Sequence, residues 1–228
     1  MGLNHLGVIL DGNRRFAKRL MLNPEKGHEW GYKKIKELFQ WCKEEKIYEL
    51  TLYTFSLENF NRPKQEFNYL MKLFIKAFKE LKEDSNVKDM KVNFIGRIIQ
   101  FPKEVQNAMQ ELMEFTKNNS PFKVNFAMAY SGRAEIVDAT KLIIKKIKNK
   151  ELKEEEINEH TFAKNLYLNS EPDLIIRTSE SRLSGFLTYQ STYSELEFLP
   201  DKLWPEFSKE DFTNCIKKFY IRQRRFGI

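Results

Sequence analysis

A chain of 228 residues with 41% hydrophobic and 31% charged residues can bury a real core, and it suits one globular α/β domain spanning residues 1–228. No run approaches the roughly 18 apolar residues of a membrane-spanning helix, and the opening MGLNHLGVIL lacks a signal peptide's basic start and cleavage site. Cys42 and Cys215 have no CxxC spacing, which argues against a disulfide framework and suits reduced thiols in a cytoplasmic protein, while the net charge of +7 leaves a nucleic-acid partner to be weighed.

In chain order, the apolar run at 5–10 (HLGVIL) predicts a strand that opens onto Asp11-Gly12-Asn13 and then the cationic stretch NRRFAKR. Asp11 can be read as a helix cap or as a carboxylate that shares Mg²⁺ with phosphate oxygens. Gly12 and Asn13 tolerate left-handed backbone and can turn main-chain N–H groups toward an anion. A helix starting near Arg15 adds its positive dipole end. Helical periodicity follows near 29–46, with His28 at its head. That histidine is either structural or a donor to phosphate, and His5 and His160 give it no metal-ligand spacing.

A second strand at 49–55 (ELTLYTF) runs into Ser56-Leu57-Glu58-Asn59 and Arg62. This is a turn into a helix with Pro63 at its first position, or a polar lip over a reacting centre. The helix at 63–83 carries Phe67, Leu70, Met71, Phe74, Ile75 and Phe78 at three- and four-residue spacing. Such a stripe is core packing or one wall of an apolar tunnel, and 19 phenylalanines in the chain keep the tunnel in view. Strands at 91–96, 123–130 and 173–178 and a shorter one at 195–200 alternate with helices near 102–118, 132–149 and 208–222. The segment RTSESRLSGF offers Arg177, Arg182 and Ser184, which suit a diphosphate or a surface salt-bridge loop. Glu195 is a candidate second metal carboxylate or a simple helix-end charge.

Strands alternating with helices imply a central parallel sheet flanked by helices, and ligands in such sheets sit beyond the carboxyl ends of the strands. The arginines gather in NRRFAKR, IRTSESR and IRQRRFG rather than in the lysine-rich runs. Bidentate arginine suits phosphate, so these strand-end loops point to one shared anionic-ligand site. A nucleic-acid binder would instead interleave stacking aromatics with its arginines.

The segments DGNRRFAK, GHEWG, LTLYTFSLENFNRP, AYSGRAEI, DLIIRT, RLSGFLTYQ, YSELEFLPDKLWPEF and RQRRFG together resemble the cis-prenyltransferases, in the family's order and over essentially the whole chain. The resemblance implies a parallel sheet with an apolar tunnel between sheet and helices, a homodimer, and Mg²⁺-dependent condensation of isopentenyl diphosphate onto farnesyl diphosphate. The implied product is a long-chain polyprenyl diphosphate, with undecaprenyl diphosphate, the carrier-lipid precursor of cell-wall glycan, the first expectation. Cytoplasmic residence with transient contact at the inner membrane surface goes with such a product.

Asp11 matches the family's catalytic, metal-associated aspartate. Gly12, Asn13, Arg15, Phe16 and His28 match the allylic diphosphate cradle. Ser56, Leu57, Glu58, Asn59, Phe60 and Arg62 match the lip near the reacting carbons, with Asn59 in a catalytic, orienting role. Arg177, Arg182, Leu183 and Ser184 match the isopentenyl diphosphate clamp, and Glu195 matches the second metal carboxylate. Arg225-Phe226-Gly227 matches a C-terminal Arg-x-Gly that reaches a diphosphate in the partner's site or its own. The chain departs from the family at Arg14, where a glycine is usual, which adds a cation to the cradle. It departs also at Phe16 for tryptophan, at Pro24 for an allylic-site arginine, and in a loop between Arg177 and Arg182 that is one residue shorter. A non-catalytic partner subunit would lack the first-loop carboxylate and the arginine clamp, and this chain has both.

Overall fold

A computed structural model describes residues 2–222. Six strands, β1 (His5–Ile9), β2 (Glu49–Ser56), β3 (Met90–Ile95), β4 (Phe122–Tyr130), β5 (Leu174–Thr178) and β6 (Glu195–Leu199), form one sheet in the order β3-β4-β2-β1-β5-β6. Every pairing is parallel. The helices are α1 (Asn13–Arg19), α2 (Pro24–Glu44), α3 (Lys64–Glu83), α4 (Lys103–Thr116), α5 (Gly132–Lys148), α6 (Glu159–Ala163) and α7 (Lys209–Ile221). The expected α/β architecture is therefore observed. Among the described residues no helix is long and apolar enough to cross a membrane.

The strands need no polar face because helices cover the sheet on both sides. Every residue of β1 and β5 is buried. On one face Leu6, Val8, Leu50 and Leu52 join the larger core with Leu38 and Phe39 of α2, Phe74 and Phe78 of α3, and Leu112 of α4. On the other, Ile9, Ala127 and Ile175 meet Tyr130, Phe186 and Leu187 in a smaller cluster. Burying each of these large side chains contributes about 1.5–3 kcal/mol.

Two elements differ from the periodicity reading. Helix α2 begins at Pro24, because proline is accommodated in a first helical turn whose N–H groups have no partner; His28 thus lies within the helix rather than at its head. Helix α6 is too short for periodicity to reveal, and Asn158 caps it by accepting from the Thr161 N–H at 3.0 Å.

Strand β1 lies between β2 and β5 with Ile9 opposite Tyr53 and Arg177. The loops that leave the carboxyl ends of β1, β2 and β5 therefore converge on one crevice. Helix α1 is drawn against α2 by two small residues. A Cβ on Gly27 would lie 2.0 Å from the Asn13 carbonyl oxygen, and one on Gly31 would lie 2.3 Å from Asn13 Oδ1.

Candidate active site

The loop after β1 is fixed through its main chain. The Asp11 carbonyl accepts from Thr178 Oγ1 at 2.7 Å and from the Trp204 N–H at 2.9 Å. Gly12 follows at φ 110°, a left-handed conformation that glycine adopts without a Cβ clash. This geometry leaves the Asp11 carboxylate at the crevice, where Arg177 Nη2 donates to Oδ2 at 2.9 Å and Arg15 Nη2 to Oδ1 at 3.2 Å.

Arg177 is the last residue but one of β5 and is only 4% exposed. Its Nη1 donates to Ser184 Oγ at 2.8 Å and to the Arg182 carbonyl. Its Nε is buried with no partner among the described residues, a donor without an acceptor beside the carboxylate. A buried guanidinium costs several kcal/mol unless paired, so Asp11 and Arg177 hold each other in place. Ser179 (φ 75°) and Ser184 (φ 49°) carry left-handed backbone at either end of the short loop. Glu180, between them, accepts from Arg15 Nη1 at 3.1 Å and from Arg182 Nη1 at 2.8 Å.

A second ionic group lies across the mouth. Glu66, in the first turn of α3, is 7% exposed and had no place in the sequence reading. It accepts from Arg62 Nη1 at 2.9 Å, meets His28 Nε2 at 3.1 Å and stands 3.7 Å from Arg14 Nε. Burial pushes the His28 ring below its ordinary value, the Arg62 charge adds to that, and Glu66 opposes both. Arg62 lies just before α3, so its pairing with Glu66 is not one made on a helix face and no helical pattern in the sequence marked it.

Both groups open on one cavity of about 530 Å³, within the range of small-molecule sites. Its polar end is formed by Asp11, Asn13, His28, Arg62, Arg177 and Ser184, with Ser56, Glu58 and Asn59 at the lip. Its apolar end runs between α2 and α3 past Ile35, Phe39, Leu70, Phe74, Phe78 and Leu81 to Phe126. A shallower basin of about 690 Å³ shares Asp11, Asn13, His28 and Arg62 with it and adds Gly12, Arg14, Arg15 and Lys18. The apolar tunnel is thus present, and the phenylalanines of α3 are at once core and wall.

The expected residues do not all reach the site. Phe16 is buried against Trp30 at 5.3 Å and lines neither cavity nor basin, because α1 turns that face onto α2. Phe60 packs on Phe55, and Leu57 and Leu183 pack against the two cores. Arg182 contributes its carbonyl to Arg177, while its side chain is mostly exposed. Asn59 Oδ1 accepts the Ser56 N–H at 3.1 Å, closing the turn after β2.

Glu195 requires a correction. It opens β6 opposite Leu174, so parallel register puts it at the amino end of the sheet, away from Asp11. There Arg222 Nη1 donates to it at 2.9 Å. The chain by itself does not bring the two carboxylates together. Among the described residues no cluster of three or more acidic, histidine or cysteine side chains could hold a metal. Arg225-Phe226-Gly227 lies outside the described residues.

An ionic mouth of buried arginine and paired carboxylate over a deep apolar cavity, at the carboxyl ends of parallel strands, defines an enzyme site for an amphiphilic diphosphate. The model of the family described as putative undecaprenyl diphosphate synthase matches residues 9–227, and the chain belongs to that family, the cis-prenyltransferases. It is 44% identical over 228 residues to a tritrans,polycis-undecaprenyl-diphosphate synthase (geranylgeranyl-diphosphate specific) of Thermococcus kodakarensis, covering 98% of this chain and 86% of that protein. An isoprenyl transferase of Thermus thermophilus is 44% identical over 232 residues, covering 98% of this chain and 88% of that protein. The crystal structure of lavandulyl diphosphate synthase from Lavandula x intermedia in complex with dimethylallyl diphosphate superposes with a TM-score of 0.94 at 31% identity, covering 99% of this chain and 98% of that one.

Proposed function

We propose that this cis-prenyltransferase adds isopentenyl diphosphate units to an allylic diphosphate and releases a long polyprenyl diphosphate, undecaprenyl diphosphate being the first expectation. The observation that carries this reading is the single cavity that joins the Asp11–Arg177 mouth to the Phe74–Phe78 interior. A diphosphate head has cations to meet at one end, and a growing hydrocarbon has apolar surface to bury at the other. Farnesyl diphosphate is the primer that the motifs imply. Geranylgeranyl diphosphate is the second reading, favoured by the geranylgeranyl-diphosphate specificity of the Thermococcus relative.

Asp11 is the residue that would hold Mg²⁺. That ion is commonly bound by one or two carboxylates together with substrate phosphates, and Asp11 presents one partly exposed carboxylate to the arginine-lined mouth. Bound there, the ion would neutralise charge on the departing diphosphate. Arg177 and Ser184, with Arg15 beside them, hold and orient diphosphate oxygens, which supplies proximity. Arg62, His28 and Glu66 form a braced wall opposite. As the allylic carbon–oxygen bond breaks, the isopentenyl double bond attacks the allylic carbon, a carbon–carbon bond forms, and a proton leaves the former isopentenyl unit. Asn59 is a neutral amide whose oxygen already accepts the Ser56 N–H, so its part is orientation. A diphosphate oxygen or the Asp11 carboxylate takes the proton.

The working unit in this reading is a homodimer, and Val137, Leu142 and Ile144 supply exposed apolar surface on α5 for it. A long lipid product gives the reason for brief contact with the inner membrane surface, and that product's role as carrier for cell-wall glycan is part of the same proposal. The test is product analysis: purified protein with labelled isopentenyl diphosphate, Mg²⁺, and farnesyl or geranylgeranyl diphosphate in parallel. Long polyprenyl diphosphate that disappears in Asp11→Ala and with chelator supports the reading, and the better primer chooses between the two. No condensation by folded, metal-replete protein with either primer sinks it.

A further inference from the structure

Helices α2 and α3 form the two long walls of the cavity, and polar contacts pin them together at both ends. Near the mouth, His28 meets Glu66, and Tyr69 Oη donates to Glu29 at 2.6 Å. At the far end, Tyr32 Oη donates to Glu80 Oε2 at 2.9 Å, and Lys36 Nζ stands 3.3 Å from Asp84 Oδ2. Lys36 also lies over the Tyr32 ring at 5.5 Å, so these four side chains form one cluster.

The two sets of pins are unequally spaced. At 1.5 Å per residue, α2 advances about 12 Å from His28 to Lys36, whereas α3 advances about 27 Å from Glu66 to Asp84. The space between the two helices is the apolar end of the cavity, which Leu70, Leu73, Phe74 and Ala77 line from the α3 side. Tyr32 and Lys36 line the same cavity while reaching across to Glu80 and Asp84. An otherwise largely apolar stretch of wall thus carries a tyrosine and a lysine, each held from α3 by a carboxylate outside the lining.

We propose that Tyr32–Glu80 and Lys36–Asp84 form a latch that sets product length, so that these residues determine specificity. This deepens the reading above and rests on it. A prenyl chain that fills the apolar space can offer these groups no hydrogen bond, so further growth between α2 and α3 must separate a paired ammonium and carboxylate and a tyrosine–carboxylate bond. Lys36 and Glu80 are each more than a third exposed, so separating these pairs adds a modest barrier rather than an absolute stop. The latch therefore biases elongation to end while the two helices remain fastened.

The test breaks the latch from each helix separately while keeping side-chain size: Tyr32→Phe with Lys36→Met, and Glu80→Gln with Asp84→Asn. Products are compared with wild type at equal isopentenyl diphosphate consumption. Both doubles are expected to shift the main product upward by one or more isoprene units and to broaden the distribution. Unchanged or shorter products from either double overturn the latch; if one fails to fold, the other decides. A wild-type protein that makes no polyprenyl product at all defeats the broader reading instead, so the two failures are distinguishable.

Discussion

At the mouth, the proposed chemistry rests chiefly on one carboxylate, Asp11, and one buried guanidinium, Arg177. Asp11→Asn keeps the shape but removes the charge that faces Arg177 at 2.9 Å. Removing one such preorganised electrostatic group costs about 10²–10³-fold in kcat, and that loss, with an unchanged circular dichroism spectrum, is the outcome expected from steady-state assays. His28 gives a pH prediction. Burial and the Arg62 charge hold its folded pKa below the unfolded value of about 6.5. Below that value the unfolded chain takes up a proton that the folded ring resists, so stability falls as the solution is acidified. The contribution is fully present above about pH 6.5 and is lost progressively below it. His28→Gln should flatten the acid limb of the melting temperature against pH, and a limb as steep as wild type would assign it to other groups.

The same residues show what a sequence can and cannot disclose. Asp11, Arg177 and Ser184 were legible because they stand at or beyond the carboxyl ends of strands, where the crevice of a parallel sheet must lie. Glu66 was not, because nothing in the α3 pattern marks a first-turn acid as buried until His28, Arg62 and Arg14 surround it. Glu180 was in plain view on the arginine loop, but its part as the anion between Arg15 and Arg182 needed coordinates.

Among the elements, hydrophobic period placed all six strands and five helices, since each is long enough to show its buried face. It could not place α6, nor the close approach of α1 to α2, which depends on an absent side chain rather than a present one. Gly27→Ala drives a Cβ to within 2.0 Å of the Asn13 main-chain oxygen, and backbone cannot swing away as a side chain can. Overpacking of this kind costs about 1–3 kcal/mol. Because Asn13 follows the Asp11 loop, calorimetry should show a lower melting temperature together with reduced turnover. A variant that melts early but turns over normally would separate packing from the cradle. On α3, Ala77 lines the cavity between Phe74 and Phe78. Ala77→Leu adds bulk there and should shorten the product at a similar cost in stability, whereas unchanged chain length would make that stretch of α3 core alone.

For the molecule as a whole, motif matching and strand register give different information about Glu195. The motif pairs it with Asp11, but register puts it at the other end of β6, beside Arg222. Among the described residues, a single chain therefore keeps Glu195 away from Asp11, and in the proposed homodimer a second copy would be the source of any carboxylate that joins it. In that proposal α5 is the docking face. Val137 and Ile144, each 47% exposed, are two turns apart and so share a face, an exposure that monomers rarely tolerate across a contiguous patch. A glutamate there must be desolvated when the copies meet, a cost that Lys141 on the same face offsets only in part. Val137→Glu with Ile144→Glu is expected to convert a dimer to a monomer in sedimentation velocity, with the melting temperature of the separated chain recorded beside it. A double variant that still sediments as a dimer would move the interface elsewhere. A folded, inactive monomer supports a site completed by the second copy; one that retains turnover shows that each chain serves its own site.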